Sequence, residues 1–194
     1  MADSAPLDFT SWRAAFVAAL DAGTVSDVPC GGCTACCRSR QFVTIAPDES
    51  DTLAHVPKRL LSRVPQSLDG ALVLPYRHED GACPMLGPAG CLIYEHRPRA
   101  CRLYDCRVFA AAGVMPDQPL IAERIRFWQF DESTVRRSSV RRARDYLQAG
   151  VAPLAAAVQA VVGSAHPSEG RSGRASVAIA ESTPLTKRPD SSVE

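Results

Sequence analysis

The 194-residue sequence predicts an α+β, mainly helical fold in which flanking helices pack against a small cysteine-rich core. Three observations predict it. All eight cysteines fall between Cys30 and Cys106, segments with helical periodicity lie on both sides of that stretch, and within it short alternating segments are separated by Gly- and Pro-rich turns. With 46% apolar residues the chain can build a core of its own, which excludes a disordered or collagen-like polymer.

Taken in order, Phe9 to Ala22 predicts a helix with Trp12, Phe16 and Leu20 on one stripe, Thr10 or Ser11 as N-cap and Gly23 as its end. Gln41 to Ile45 alternates polar with apolar residues and predicts a short strand, followed by a helix opening at Pro47-Asp48-Glu49. A second strand is expected at Leu72 to Tyr76. From Gly81 to Pro98 the Gly and Pro density predicts compact turns with little to hold them unless something cross-links them. Helices are expected at Ile121 to Phe130 and Thr134 to Ala149, with Asp131 or Ser133 as the cap between them, and a short Ala/Val helix at Pro153 to Val162. After that the composition turns to Ser, Gly, Pro and charge with no aromatic residue, predicting a flexible tail. The resulting division is an N-terminal helical extension (1–27), a cysteine-cluster metal-binding domain (28–110), a helical part packing on it (111–162) and a disordered tail (163–194).

Charge says little about partners. Twenty-two basic residues against 21 acidic ones leave +1, so neither nucleic acid nor an anionic membrane is expected as the main partner. No apolar run reaches the 18 or so residues of a membrane span. The N-terminus lacks the basic start and apolar stretch of a secretory signal, so a cytoplasmic location with reduced thiols is expected, rather than a disulfide framework. The arginine run from Arg136 to Arg144 reads as a solvated helix face.

Cysteine chemistry is the main clue. Cys30-Gly-Gly-Cys33-Thr-Ala-Cys36-Cys37 is a C-x2-C-x2-C-C block, and two-residue spacing lets successive thiolates turn toward one ion. On a helical trace Cys30, Cys33 and Cys37 fall within about 60° of one another, with Cys36 at the edge of that face. A second group comprises Cys83, Cys91, Cys101 and Cys106. Four plus four suits two tetrahedral sites, and one shared multinuclear centre fits equally well. Thiolate ligation suits zinc and iron–sulfur centres alike. Cys30, Cys33 and Cys36 repeat the spacing of bacterial ferredoxins and Cys83-Pro84 is a remote Cys-Pro, so a [4Fe–4S] cluster has a footing as well. Eight thiolates around two divalent ions would carry a charge of −4, and Arg38, Arg40, Arg97, Arg99, Arg102 and Arg107 stand close by in sequence to offset it. His96, between Cys91 and Cys101, could replace a thiolate but reads more simply as an exposed loop residue; His55, His78 and His166 are weaker candidates. Tyr94 and Tyr104 are expected to shield the cluster together with Pro98.

The C-x2-C-x2-C-C block, followed by Gly-x-Cys83, Cys91-x-Ile-Tyr, Arg97-Pro98 and Cys101-Arg102, resembles the YkgJ family of cysteine-cluster proteins over roughly residues 28 to 110. That family is described as a zinc- or iron-chelating domain. The resemblance implies Zn²⁺ or Fe as the cofactor, bound at Cys30, Cys33, Cys36, Cys37, Cys83, Cys91, Cys101 and, less directly, Cys106. The metal ion is the partner it implies; a protein partner is not specified. No phosphate loop, nucleophile elbow or His/carboxylate motif with metal-ligand spacing is present, so a binding role is expected before an enzymatic one. The alternative is an iron–sulfur redox carrier or enzyme, including protein lysine N-methylation by analogy with some relatives, although no S-adenosylmethionine site is recognisable.

Overall fold

A computed structural model describes residues 6–26, 28–63 and 70–163. The expected tail lies, from residue 164 onward, outside the described residues. The fold is α+β and mainly helical, with seven α-helices and two small antiparallel sheets among the described residues.

Helix α1 (Phe9–Ala22) starts one turn earlier than a Thr10 or Ser11 cap would allow, because Asp8 is the N-cap and its carboxylate accepts from the Ser11 amide at 2.7 Å. Gly23 closes the helix with φ +63°, a conformation that favours glycine. Phe9, Trp12 and Phe16 are buried against the C-terminal helices. Trp12 stacks on Phe16 with centroids 5.3 Å apart and meets Phe130 at 4.9 Å. Those partners come from α4 (Arg107–Ala112), α5 (Pro119–Ile125), α6 (Thr134–Gln148) and α7 (Pro153–Val162). Small fully buried residues, Ala156, Ala157 and Ala160 on α7 and Ala111 on α4, let these helices approach closely. At the C-terminus of α7, Arg13 donates to the Val161 carbonyl (2.7 Å) and Arg142 to that of Ala160 (2.6 Å), placing two cations at the negative end of the helix dipole. Ser133 caps α6, accepting from the Arg136 amide. The helix expected through Phe130 instead runs from Pro119 to Ile125, and Phe130 joins Leu7 in a single parallel bridge.

The other half is built from short pieces. Strand β1 (Val43–Ile45) pairs antiparallel with β3 (Leu72–Leu74), Val43 opposite Leu74, and β2 (Ser62–Arg63) lies on the other edge of β3. Both predicted strands are shorter than their alternation suggested. Helix α2 (Ser50–His55) follows the acidic turn, and β4 (Leu86–Gly87) pairs with β5 (Gly90–Cys91) in the Gly/Pro region. Ile45, Val56, Leu74, Met85 and Ile93 form the buried apolar cluster here, and Ala71, Ala82 and Leu86 are buried as well. Helix α3 (Arg99–Leu103) then leads back toward α4.

Two buried carboxylates join these parts. Asp105 lies between α3 and α4 with its side chain fully buried and accepts from Trp12 Nε1 (3.2 Å), Ser26 Oγ (2.8 Å) and the Arg107 guanidinium (2.8 Å). Glu49, just before α2, accepts from the Ala46 amide at 2.8 Å and from the Arg99 amide at the N-terminus of α3. Buried carboxylates persist only when their lone pairs are taken up this way.

Candidate metal centre

The C-x2-C-x2-C-C block does not form one helix. Cys30 to Cys33 is a tight turn closed by the Cys33 amide on the Cys30 carbonyl (2.9 Å), with Gly31 at φ +54°, and only Cys36–Arg38 is helical, as a 3₁₀ turn. The helical face expected to unite Cys30, Cys33 and Cys37 therefore does not exist, and the block faces two ways. Cys37 turns toward the sheet half: its carbonyl accepts from the Cys83 amide at 2.7 Å, and its charge raises the pKa of the Cys83, Cys91 and Cys101 thiols. Cys83 and Cys91 pack on the small apolar core of that half. Cys106 packs on the helical core, and the charges of Cys30 and Cys33 act on it. Cys36 lies between, with its sulfur 3.9 Å from that of Cys37 and within electrostatic reach of both Cys101 and Cys30.

Two sets emerge that differ from the two groups in the sequence. By mutual electrostatic influence Cys37, Cys83, Cys91 and Cys101 form one and Cys30, Cys33 and Cys106 the other, with Cys36 at the seam, but no three sulfurs lie within 4.8 Å of one another among the described residues. All eight are free thiols. Of the second set, Cys33 lines an open cavity of about 230 Å³ together with Arg38, Leu120, Arg124 and Phe127.

The electrostatics of the thiols are those of donors lacking a counter-charge. Desolvation is the largest cause raising Cys30, Cys83 and Cys91, each also opposed by a neighbouring thiolate. Cys101 is pushed up to about 12 by desolvation first and then by Cys83, Cys37 and Cys91; the residue reaches solvent on one side while protein crowds its sulfur on the others. Cys106 is pushed up to about 11 by desolvation, against the nearby Trp128 N–H, which favours the ionised form. In the adjacent pair, the hydrogen bond between the sulfurs raises Cys36 and lowers Cys37. A divalent cation would reverse this balance, because it stabilises every thiolate at once.

Hydrogen-bond donors around the thiols point the same way. Among the described residues, four buried side-chain atoms have no partner in ordinary geometry, and three of them, Arg97 Nε, Tyr104 Oη and Trp128 Nε1, belong to residues beside the cysteines. Arg97 acts on Cys37, Cys91 and Cys101, Tyr104 faces the charges of Cys106 and Cys36, and Trp128 favours the ionised form of Cys106. Thiolate sulfurs holding a metal would accept from such donors, so the residues present fit the group. Burial, followed by those thiolate charges, raises the Tyr104 phenol.

The expected shell of arginines is only partly realised. Arg38 and Arg97 stand by Cys37, and Arg107 and Arg124 act on Cys30. Arg99 instead pairs with Asp48 at 2.7 Å, Arg102 donates to the Arg97 carbonyl, and the Arg40 side chain lies against Gly81. Tyr94 is exposed with the Arg97 guanidinium 3.6 Å over its ring, so it holds Arg97 rather than shielding sulfur. His96 does not join the thiols; its Nδ1 is 2.9 Å from Asp51 Oδ2. Sequence reasoning missed Trp128 and Arg124, which lie outside the cysteine-rich stretch and carried no local signal.

Residues 29–123 match the model of the CxxCxxCC family, described as a putative zinc- or iron-chelating domain. No curated protein and no solved structure matches the chain. Among the described residues no helix is long and apolar enough to cross a membrane. A thiol-lined seam, donors without acceptors around it and a family match spanning all eight cysteines agree, and residues 29–123 carry a CxxCxxCC domain, of a family described as zinc- or iron-chelating.

Proposed function

We propose that this protein holds zinc or iron through thiolates in two sets: Cys37, Cys83, Cys91 and Cys101 in one, Cys30, Cys33 and Cys106 in the other, with Cys36 completing the second. The observation that supports this most is the pairing of mutually destabilised thiols with buried donors that have no acceptor, since metal-bound sulfur resolves both. When bound, the metal supplies a cross-link between the turn at Cys30–Cys37, the β4–β5 hairpin and helix α3. Arg97, Tyr104 and Trp128 would donate to the ligated sulfurs and offset their charge. The role assigned is binding, with no reaction, in a reducing compartment such as the cytoplasm, and with residues 28–110 as the metal-binding unit.

A second reading, an iron–sulfur cluster in a redox carrier or enzyme, is favoured by one specific feature, the Cys30-x2-Cys33-x2-Cys36 run. Metal and acid-labile sulfide analysis of anaerobically purified protein separates the two. Zinc, or iron without sulfide, supports thiolate-held ions; iron with stoichiometric sulfide and a brown solution supports the cluster. Protein free of bound metal after anaerobic purification and reconstitution would overturn both.

A further inference from the structure

Away from the thiols, Asp51, His55 and His96 each offer one ligand atom, and these atoms lie within 4.8 Å of one another, the one such trio among the described residues. Two of the three share a helix: Asp51 and His55 are one turn apart on α2, while His96 comes from the 3₁₀ turn Tyr94–His96 between Cys91 and Cys101. The imidazole rings of His55 and His96 are stacked face to face, with centroids 3.5 Å apart and planes 4° from parallel.

Hydrogen bonding leaves each ring with a free nitrogen. His55 Nδ1 is 2.8 Å from the Asp51 backbone carbonyl, an acceptor only, so Nδ1 carries the proton and Nε2 keeps its lone pair. His96 Nδ1 is 2.9 Å from Asp51 Oδ2; with the carboxylate as acceptor, Nε2 of that ring is likewise free. An ion held by all three residues takes a carboxylate oxygen and the two Nδ1 atoms that face it, 3.7 Å (His55) and 2.9 Å (His96) from Asp51, in place of these hydrogen bonds, each ring's proton moving to Nε2. Asp51 is held ionised below its ordinary range mainly by its hydrogen bond with His96.

We propose that Asp51, His55 and His96 form a second metal site, separate from the thiolate centre, for a divalent transition ion of the zinc, nickel or copper type. Imidazole and carboxylate are harder donors than thiolate, so this site and the cysteine sets differ in preference. Ligands about 2.1 Å from a tetrahedral zinc stand about 3.4 Å apart, so the trio needs to close by about 1.4 Å at most, within the reach of three side chains that are 38–66% exposed. An ion here ties α2 to the loop between Cys91 and Cys101, and water fills its remaining coordination positions.

The chain has four histidines, which makes imidazole NMR a sparse and direct readout. Full-length protein, loaded at its thiols and desalted, is titrated with Zn²⁺ while the imidazole nitrogens are followed and total zinc is counted. The expected result is that His55 and His96 shift together and saturate at one further ion, while His78 and His166 stay unmoved. His55→Gln and His96→Gln should each weaken this uptake by more than about 100-fold, since even an outer partner of a ligand is worth 10–100-fold, and should leave the thiol-bound metal unchanged. No shift of His55 and His96 at millimolar Zn²⁺, equal shifts of all four rings, or full uptake by either variant overturns the proposal. Because thiol-bound metal is counted separately, loss of the thiolate reading would appear as missing metal before the titration begins.

Discussion

The helical half and the cysteine half obtain their shape from different sources. In the first, Phe9, Trp12, Phe16, Ile121, Phe130 and Val161 are buried together, and helices of six to 15 residues, three of them of 10 or more, close around them. Burial at roughly 1.5–3 kcal/mol for each large side chain offsets the cost of ordering those helices. In the second, eight buried apolar residues, two of them alanines, support strands of two or three residues and helices of five or six. On the reading proposed above, ligation of the thiols supplies the constraint that burial alone does not. A chain can thus place an apolar core beside a region whose order depends on ligation.

Breaking the metal side should have the largest effect. Cys83→Ser or Cys101→Ser should abolish metal at the first set and unfold the sheet half, because a serine hydroxyl is a far poorer ligand than thiolate. Metal-to-protein ratio and near-ultraviolet circular dichroism report the two losses. Phe9→Ala is the mirror experiment: a fully buried ring in the helical core, it should cost about 3–5 kcal/mol in urea unfolding while leaving the metal ratio of the folded protein unchanged.

Asp105 tests the joint. Asp105→Ala would strand the buried Trp12 Nε1 and remove the carboxylate that the Ser26 hydroxyl and Arg107 donate to, and should cost about 3–5 kcal/mol, lowering the stability of both halves together. Equal stability of wild type and variant in denaturant would show that the halves are not coupled there. The smallest expected effect is acid sensitivity. Of four carboxylates held below their ordinary range, Asp48, Asp51 and Asp80 lie in the cysteine half, Asp80 at about 2 through its hydrogen bonds from Arg77, and Asp8 lies at the start of α1. A depressed folded pKa contributes stability above the unfolded value near 4 that is lost as pH falls through the folded one. In the metal-bound protein the cysteine half should therefore be the first to lose order as the pH falls below about 4, followed by NMR of the strand amides.

Much of this was legible from the residues. Trp12 and Phe16 on one stripe, Pro153 opening the last helix and Ser133 capping α6 carry strong local signals, and the spacing of eight cysteines pointed to metal. The helices Arg99–Leu103 and Arg107–Ala112 were not legible, because arginine and cysteine interrupt any apolar period and their burial comes from partners far away in the chain. Nor was the regrouping of the cysteines. Gly31 breaks the helical trace assumed for Cys30 to Cys37, so Cys37 joins the later cysteines and Cys106 the earlier ones, an exchange only tertiary packing decides. Asp105 gave no sign because a lone acidic residue beside cysteine and arginine reads as surface.

Amide hydrogen exchange of the full chain, with metal bound and after removal by a strong chelator, tests the central claim most directly. The predicted result is loss of protection at Val43–Ile45, Leu72–Leu74, the β4–β5 hairpin and α3, with α1, α6 and α7 still protected. Unchanged protection in the cysteine half after complete metal removal would contradict the account.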